Sequence, residues 1–375
     1  MRPSALSDFA IPPETVLSPS ELEAEARRRL DPAVYDFFAG GADNEVTLHE
    51  NEAAFARVGL VPRVLRGGGE PELDVTLLGH RGSMPILIAP TAFHRLAHPD
   101  GECATARAAA AAGTMMVVSM AATVAIENIA AAGRDAGGES NLWFQLYIQP
   151  DLGFTKAVIQ RAEAAGCRAL VISVDSPVFG RRVRDLRHGF FDLPDGMCCE
   201  NMRESLADAK FGPPRPIAFW PELSWKHLEW LRSTTTLPIA LKGVAHPDDA
   251  RLAVRCGADA LLVSNHGGRQ LDGVPAAIEL LPEIADAVES AVPLLLDGGI
   301  RQGTDVVKAL ALGAVAVGVG RPVLWGLAVA GESGVAHVLE ELRSELARAL
   351  ALCGCASPAA LDRSFIRRLG AAARW

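Results

Sequence analysis

The residues best suited to chemistry lie in the run Ser264-Asn265-His266-Gly267-Gly268-Arg269-Gln270. A glycine-rich loop offers no core packing that would call for a histidine, so His266 is a candidate general base. Arg269, three residues later, is able to grip a substrate carboxylate through two parallel hydrogen bonds, and Asp175 is a candidate to orient the histidine ring. This combination indicates proton removal from a small substrate that carries a carboxylate, such as a 2-hydroxy acid.

Two further loops have the composition of anion sites. Asp297-Gly298-Gly299-Ile300-Arg301 and Gly318-Val319-Gly320-Arg321 each join glycines to one arginine. Backbone N–H groups exposed at glycine, together with a guanidinium, bind phosphate. Oxidation of a 2-hydroxy acid also needs an electron acceptor that no protein side chain supplies. The two loops therefore predict a phosphate-bearing redox cofactor, and this chemistry leaves FMN and a nicotinamide both open.

Lys242 is a separate candidate with three interpretations. It directly follows an apolar run that ends at Leu241. A lysine at such a place serves as a Schiff-base nucleophile, as a stabiliser of negative charge, or as a structural charge. The first role would make the protein a lyase, and this alternative stays open beside oxidation.

The elements that must position these residues alternate regularly from residue 85 onward. Short apolar runs, typical of strands buried on both faces of a parallel sheet, are separated by alanine-rich helical stretches. There are eight such runs: 86–89, 115–118, 142–147, 169–174, 237–241, 260–263, 293–296 and 314–319. The helices are predicted over 102–112, 123–132, 152–165, 247–256, 276–289 and 304–312, most of them stopping at glycines 113, 133, 166, 257 or 313. The pattern predicts an α/β fold of the (β/α)8 TIM-barrel type, with an open doubly wound sheet as the alternative.

Two segments lie outside this alternation. Residues 1–84 are predicted to form a helical extension, in which a helix starts at Ser18-Pro19-Ser20-Glu21 and runs from Leu22 to Phe38. Residues 184–221 interrupt the alternation after the fourth strand and are rich in proline, glycine and mixed charge. A long segment at that end of a barrel is typical of a mobile lid over the active site. We expect one domain that spans residues 1–375.

Composition argues against several classes of partner. The 375-residue chain has a net charge of −9 and a pI near 5.5, so no basic stripe is available for a nucleic acid. Its apolar runs are of strand length, short of the ~20 residues that a membrane-spanning helix needs. Seven scattered cysteines show no metal-ligand spacing. We therefore expect reduced thiols, no bound metal and a cytoplasmic protein.

Five segments carry a resemblance to a known family: 264–273 (SNHGGRQLDG), 296–314 (LDGGIRQGTDVVKALALGA), 319–322 (VGRP), 89–102 (APTAFHRLAHPDGE) and 144–147 (FQLY). With them the chain resembles the FMN-dependent L-2-hydroxy acid oxidase/dehydrogenase family, which includes glycolate oxidase, lactate oxidase and mandelate dehydrogenase. The resemblance implies FMN as the cofactor, a TIM barrel and a homotetramer.

The same resemblance implies roles for individual residues. His266 would take the substrate proton with Asp175 behind it, Tyr147 and Arg269 would bind the substrate, and Lys242 would stabilise the reduced flavin. The cofactor-binding residues would be Pro90, Thr91, Ala92, Ser119, Gln145, Ser173, Lys242, Ser264, Asp297, Gly298, Gly299, Arg301, Gly320 and Arg321.

The resemblance also assigns Arg182 to the substrate pocket. Two other positions of that pocket depart from the family pattern. The family's Tyr-Asp-Tyr motif has a carboxylate-binding tyrosine at its third position, where this chain has Phe37, and one hydrogen bond of about 1–1.5 kcal/mol is lost. Ala121 stands where oxidases of small acids carry a bulky aromatic residue. We expect a bulky or aromatic substrate such as mandelate or 4-hydroxymandelate, as in bacterial hydroxymandelate oxidases. Oxygen, reduced to H2O2, is the expected acceptor, with a non-oxygen acceptor as the alternative.

Overall fold

The computed structural model describes residues 18–67, 69–137, 141–204 and 214–369. Its first described elements are the helices α1 (Pro19–Arg29), α2 (Pro32–Ala39) and α3 (Val46–Ala56). The single helix predicted from Leu22 to Phe38 is therefore wrong. The Asp31 carboxylate accepts a hydrogen bond from Ala33 N at 2.8 Å and Pro32 takes the first helical position, so a new helix starts there.

The extension is also not wholly helical. It contains the strand β1 (Val58–Leu60) and a hairpin formed by β2 (Val75–Leu77) and β3 (His80–Gly82). The first seventeen residues of the predicted extension lie outside the described residues.

The eight predicted strands are confirmed, and they close into one parallel barrel. The barrel strands are β4 (Ile86–Ile88), β5 (Met116–Ser119), β6 (Leu142–Leu146), β7 (Leu170–Ser173), β8 (Ile239–Val244), β9 (Ala260–Val263), β10 (Leu294–Asp297) and β11 (Ala316–Val319). Closure comes from the parallel pairing of β11 with β4, in which Val317 lies opposite Ile86. The open-sheet alternative is therefore wrong.

The strands are apolar throughout because both of their faces are buried. One set of strand residues, which includes Leu87, Val117, Trp143 and Leu262, forms a cluster separate from the main core. The alternate residues join the large core that the helices cover. Side chains thus fill the barrel as well as surround it, and the active site is confined to the carboxyl ends of the strands.

Helices follow the strands. They are α4 (Gly101–Ala111), α5 (Ile126–Asp135), α6 (Leu152–Ala165), α7 (Val183–His188), α8 (Trp225–Thr234), α9 (Pro247–Arg255), α10 (Ala277–Val288), α11 (Gly303–Ala311) and α12 (Arg321–Cys353). All six predicted helices are present. Gly166 ends α6 in the left-handed conformation, as predicted. The prediction that Gly133 ends a helix is wrong, since Gly133 lies buried inside α5.

The segment 184–221 is more regular than the predicted lid loop. It contains most of α7 and a 3-10 turn at Glu200–Met202. The part from 205 to 213 lies outside the described residues.

The longest helix, α12, changes direction at Ala330 and Gly331, whose backbone angles are not helical. Length and composition alone would allow a helix at Arg321–Ala360 to cross a membrane, but 67% of its most apolar window is buried inside the protein, as in the core helix of a soluble protein. A last strand, β12 (Ile366–Arg368), pairs antiparallel with β1 and joins the two ends of the described chain.

Candidate active site

The loop that carries His266 has an unusual backbone. His266, Gly267 and Gly268 follow one another with φ of 58°, 63° and 75°, all in the left-handed region. A Cβ at Gly268 would lie 2.6 Å from the backbone nitrogen of Leu48 at the start of α3. Only glycine fits there, so the extension packs directly on the loop and supports the strained histidine.

A pair of buried asparagines locks this loop to the extension. Asn51 Nδ2 donates to Asn265 Oδ1 at 2.9 Å, and Asn265 Nδ2 donates to Asn51 Oδ1 at 2.7 Å. A Cβ at Gly299, in the neighbouring loop, would lie 1.8 Å from the carbonyl oxygen of Asn51. The same asparagine of α3 therefore sets the position of both the histidine loop and the first glycine loop.

His266 has the contacts of a general base. Its Nδ1 lies 3.0 Å from each carboxylate oxygen of Asp175, and because a carboxylate only accepts, Nδ1 carries the hydrogen. This leaves the lone pair on Nε2, which lies 3.3 Å from the hydroxyl of Tyr147. Burial lowers the pKa of His266, so the ring is neutral near pH 7. Burial would raise the pKa of Asp175, but the charges of His266 and Lys242 outweigh it and hold that pKa at about 2.

Lys242 is a buried cation with fixed partners. Its Nζ donates to Ser264 Oγ at 3.0 Å and lies 3.6 Å from Asp297 Oδ2. Burial alone would lower the pKa of Lys242, but the carboxylates of Asp297 and Asp175 reverse the effect and raise it. Ser264, predicted to bind the cofactor, lies behind the cavity wall, where its hydroxyl also accepts from His266 N at 3.1 Å. Its contacts are those of a residue that positions Lys242 and His266.

Two arginines lie on the cavity wall beside the histidine. Arg269 Nη1 donates to the carbonyls of Phe37 and Gly40, at 2.7 and 2.8 Å. Arg182 lies over the ring of Phe179, with Cζ 4.1 Å from the centroid, and its buried Nε has no partner in the described part of the chain. Burial lowers the pKa of each arginine, and for Arg269 the charge of Arg182 adds to it. A carboxylate bound between the two guanidinium groups would offset the burial of both positive charges and their mutual repulsion.

Three adjacent strand ends contribute a row of hydrogen-bonded side chains to the same cavity. Ser119 Oγ donates to Gln145 Oε1 at 3.1 Å, and Gln145 Nε2 donates to Ser173 Oγ at 3.1 Å. The three side chains belong to β5, β6 and β7 and all are buried. A row of fixed donors and acceptors on the cavity lining suits the polar edge of a flavin ring.

The second arginine pair fits a phosphate. Arg321 donates from Nε and Nη2 to the carbonyls of Phe38, Gly40 and Gly267, at 2.9 to 3.1 Å. Burial lowers the pKa of Arg321 to about 10, and the nearby charge of Arg301 acts in the same direction. Arg301 also pairs with Glu52 Oε1 at 2.6 Å, whereas Arg321 donates only to carbonyl oxygens among the described residues, so the pair has positive charge to offer a phosphate group. Buried Asp297 Oδ1, which has no partner among the described residues, supplies an acceptor on the same cavity wall.

The cavity brings together nearly all of the predicted site. Asp175 and Ser264 are the exceptions, since both lie behind its wall. Sequence reasoning missed six lining residues: Phe38, Ala89, Gly267, Ile300, Gly318 and Leu324. Gly267 and Gly318 lie inside motifs that were already singled out, whereas Leu324 lies on α12, which the sequence pattern did not predict. No group of three metal-ligating side chains occurs in the described ranges.

The two departures from the family pattern both face this cavity. Phe37 packs against Phe93 and Phe190, with ring centroids 5.4 and 5.1 Å apart. Ala121 lines the cavity at the end of β5. Neither offers a polar group, and an alanine occupies little space. This part of the cavity, beside Arg182 and Arg269, is therefore lined by apolar side chains at Phe37 and Ala121.

Comparison with known proteins shows the family. The profile of the FMN-dependent dehydrogenases matches residues 26–368. The chain belongs to this family. Human 2-hydroxyacid oxidase 1 is 46% identical over 359 residues, which cover 93% of this chain and 96% of that one. L-lactate oxidase from Nostoc is 48% identical over 354 residues, covering 92% and 96%. The chain is therefore an FMN-dependent oxidoreductase, grouped with the 2-hydroxy acid oxidases.

Solved structures of mandelate oxidase are also similar. A variant with (S)-mandelic acid superimposes with a TM-score of 0.86 at 42% identity, covering 95% of this chain and all of that one. A complex with benzoyl-formic acid has a TM-score of 0.84 at 43% identity, covering 92% and 97%. The predicted TIM barrel and FMN cofactor are thus confirmed.

Proposed function

We propose that this FMN-dependent oxidase converts a bulky, aromatic 2-hydroxy acid such as mandelate or 4-hydroxymandelate into the 2-keto acid. The observation that carries this proposal is the substrate end of the cavity, where Phe37 and Ala121 adjoin Arg182 and Arg269. An aryl group gains about 25 cal/mol for each Å² that it buries on such a surface. Glycolate has no aryl group and gains nothing from it.

The chain's own residues would handle the substrate as follows. Arg269 and Arg182 bind the carboxylate, and the hydroxyl of Tyr147 holds the substrate oxygen near His266 Nε2. The His266 ring is neutral and its Nδ1 lies 3.0 Å from the orienting Asp175, so Nε2 carries the lone pair that accepts the proton released on oxidation. When bound, FMN accepts the two electrons that leave the substrate. Lys242, whose pKa Asp297 and Asp175 raise, is protonated and stabilises negative charge beside it.

The lyase alternative loses support from the environment of Lys242. A Schiff-base lysine must be neutral to attack a carbonyl, and its pKa is usually depressed. Here Asp297 and Asp175 raise the pKa, and Nζ donates to Ser264. The lysine is held as a charge.

Oxygen is the proposed acceptor, with H2O2 as the product. The relatives named above are oxidases, which supports oxygen over a non-oxygen acceptor. The cytoplasmic location, the homotetramer and the absence of nucleic-acid and membrane partners stay predictions.

A substrate panel with peroxide detection tests the proposal. Purified holoenzyme is given glycolate, lactate, a long-chain 2-hydroxy acid, mandelate and 4-hydroxymandelate, and kcat/KM is measured for each. We expect the two aryl acids to give the highest kcat/KM and one H2O2 per keto acid formed. Faster turnover of glycolate or lactate would contradict the substrate proposal. Loss of the flavin colour by mandelate without peroxide in air would contradict oxygen as the acceptor.

A further inference from the structure

The loop after β4 contains a buried histidine that the proposed chemistry does not use. His94 is 1% exposed and begins the 3-10 turn His94–Leu96. Phe93 before it has a φ of 63°, and this left-handed residue turns the chain back on itself. As a result His94 Nε2 lies 2.7 Å from the hydroxyl oxygen of Thr91, a residue that lines the cofactor cavity.

The other ring nitrogen fixes the direction of this hydrogen bond. His94 Nδ1 lies 2.9 Å from Thr105 Oγ1, and that hydroxyl donates to the carbonyl of Gly101 at 3.5 Å, one turn back in α4. A carbonyl only accepts, and this arrangement favours the tautomer in which the Thr105 proton points to Gly101 and Nδ1 donates to Thr105. The lone pair then lies on Nε2. Burial lowers the pKa of His94, so the ring is neutral and Nε2 accepts the proton of Thr91.

A buried carboxylate holds the same turn from its backbone side. Glu102 Oε1 accepts from His94 N at 3.1 Å and from Thr123 N at 2.8 Å. Thr123 also donates its hydroxyl to Glu102 Oε2 at 2.8 Å. Glu102 thus ties the His94 turn to the loop after β5, which carries Ala121, and the imidazole has a fixed position behind the cavity.

We propose that His94 is a positioning residue of the flavin site, which takes the hydroxyl proton of Thr91 and so presents Thr91 Oγ1 to the cavity only as a hydrogen-bond acceptor. Such an acceptor distinguishes the two redox states of the cofactor, because reduction adds an N–H donor to the flavin ring. It favours the reduced state and raises the reduction potential of bound FMN. The inference depends on the cofactor and not on which 2-hydroxy acid is the substrate.

Spectroelectrochemical titration of the holoenzyme tests this role. His94→Phe replaces the imidazole by an apolar ring that cannot accept the proton, and Thr91→Val removes the hydroxyl itself. One hydrogen bond is worth roughly tenfold in an equilibrium constant, so each variant is expected to lower the midpoint potential by about 30 mV for the two-electron couple. His94→Gln, whose amide oxygen can still accept the Thr91 proton, should lower the midpoint potential by less than a third of that shift. Exposed His246 provides the matched control, since His246→Gln should leave the potential unchanged.

A double-mutant cycle separates positioning from a merely structural role. If His94 acts through Thr91, adding His94→Phe to Thr91→Val causes no further shift in potential, and the two effects are non-additive. Additive shifts, or an unchanged potential in a folded His94→Phe holoenzyme, would overturn the proposal. Should His94→Phe not fold, His94→Asn, whose shorter amide cannot reach Thr91, replaces it in the cycle. FMN content and melting temperature are recorded for every variant.

Discussion

Two walls of the active site are built by different forces. On the polar wall, His266 and Lys242 line the cavity with Asp175 behind them, and each of the three has a hydrogen-bond partner at about 3 Å within the protein. On the aromatic wall, Phe37, Phe93 and Phe190 contact one another as rings with centroids 5.1 to 5.4 Å apart. Hydrogen bonds are directional and fail within a few tenths of an ångström, whereas ring packing tolerates substitutions of similar volume. The proposed catalytic groups are thus held rigidly on one wall, and the proposed substrate-selecting wall tolerates substitution.

The arginines join the two walls. Arg269 donates to the backbone carbonyl of Phe37 and also lies over its ring, with Cζ 5.0 Å from the centroid. Arg182 lies over the rings of Phe37 and Phe179, with Cζ 5.9 and 4.1 Å from the centroids. A substitution on the polar wall should therefore reduce the rate with every substrate, and one on the aromatic wall should change the preference among substrates.

The largest effect is expected from His266→Gln. Loss of a general base typically costs 10²–10⁴-fold, and we expect a fall of about 10³-fold in kcat/KM for every acid of the panel. FMN content should be unchanged, and His246→Gln, on the exposed start of α9, serves as the control. A fall limited to some of the substrates would contradict the division between the two walls.

Asp175→Asn should reduce the rate by about 10²-fold and change the pH profile, because the amide keeps a hydrogen bond but loses the charge. Protonated His266 cannot accept a proton, so activity falls as the pH drops through its pKa, which burial places below the usual value of ~6.5. The charge of Asp175 raises this pKa. Its removal should therefore move the acidic limb of kcat/KM to lower pH. A limb that moved to higher pH would show that another group controls it.

Arg269→Gln should raise KM by about 100-fold for all carboxylate substrates, since a hydrogen bond to a charged group is worth about 1.5–3 kcal/mol. The Phe37 carbonyl also loses its donor, so we expect a lower melting temperature as well. Arg255→Gln, at an exposed end of α9, is the matched control. An unchanged KM for mandelate together with retained FMN would assign the carboxylate to other residues.

The smallest effects are expected on the aromatic wall, as changes in preference. Phe37→Tyr restores a carboxylate hydrogen bond worth about 1 kcal/mol and should improve kcat/KM for glycolate five- to tenfold. Ala121→Trp fills the space for an aryl group and should reduce kcat/KM for mandelate about tenfold more than for glycolate. Parallel changes for both acids in either variant would show that this wall does not select the substrate.

Much of the fold and site can be predicted from the sequence, for a physical reason. A strand buried on both faces must be apolar at consecutive positions, so all eight barrel strands were recognisable. Because parallel strands end on one face, polar residues such as Lys242 and Asp297 could be placed together. The break at Pro32 was also readable, since proline cannot continue a helix, but the run of helix-forming residues around it obscured the signal. Within 184–221, the helical turn after Arg182 is too short to show a period.

The sequence by itself determined the barrel and the family, and it singled out His266, Asp175 and the arginines as candidates, because these depend on local apolar pattern and on motifs. Only the tertiary structure decided how His266 is held. Its left-handed loop is supported by Asn51 and Leu48, more than 200 residues earlier in the chain. It also showed that Ser264 lies behind the cavity and that His94 lies beneath Thr91. Such contacts join residues brought together by folding, and no spacing along the chain records them.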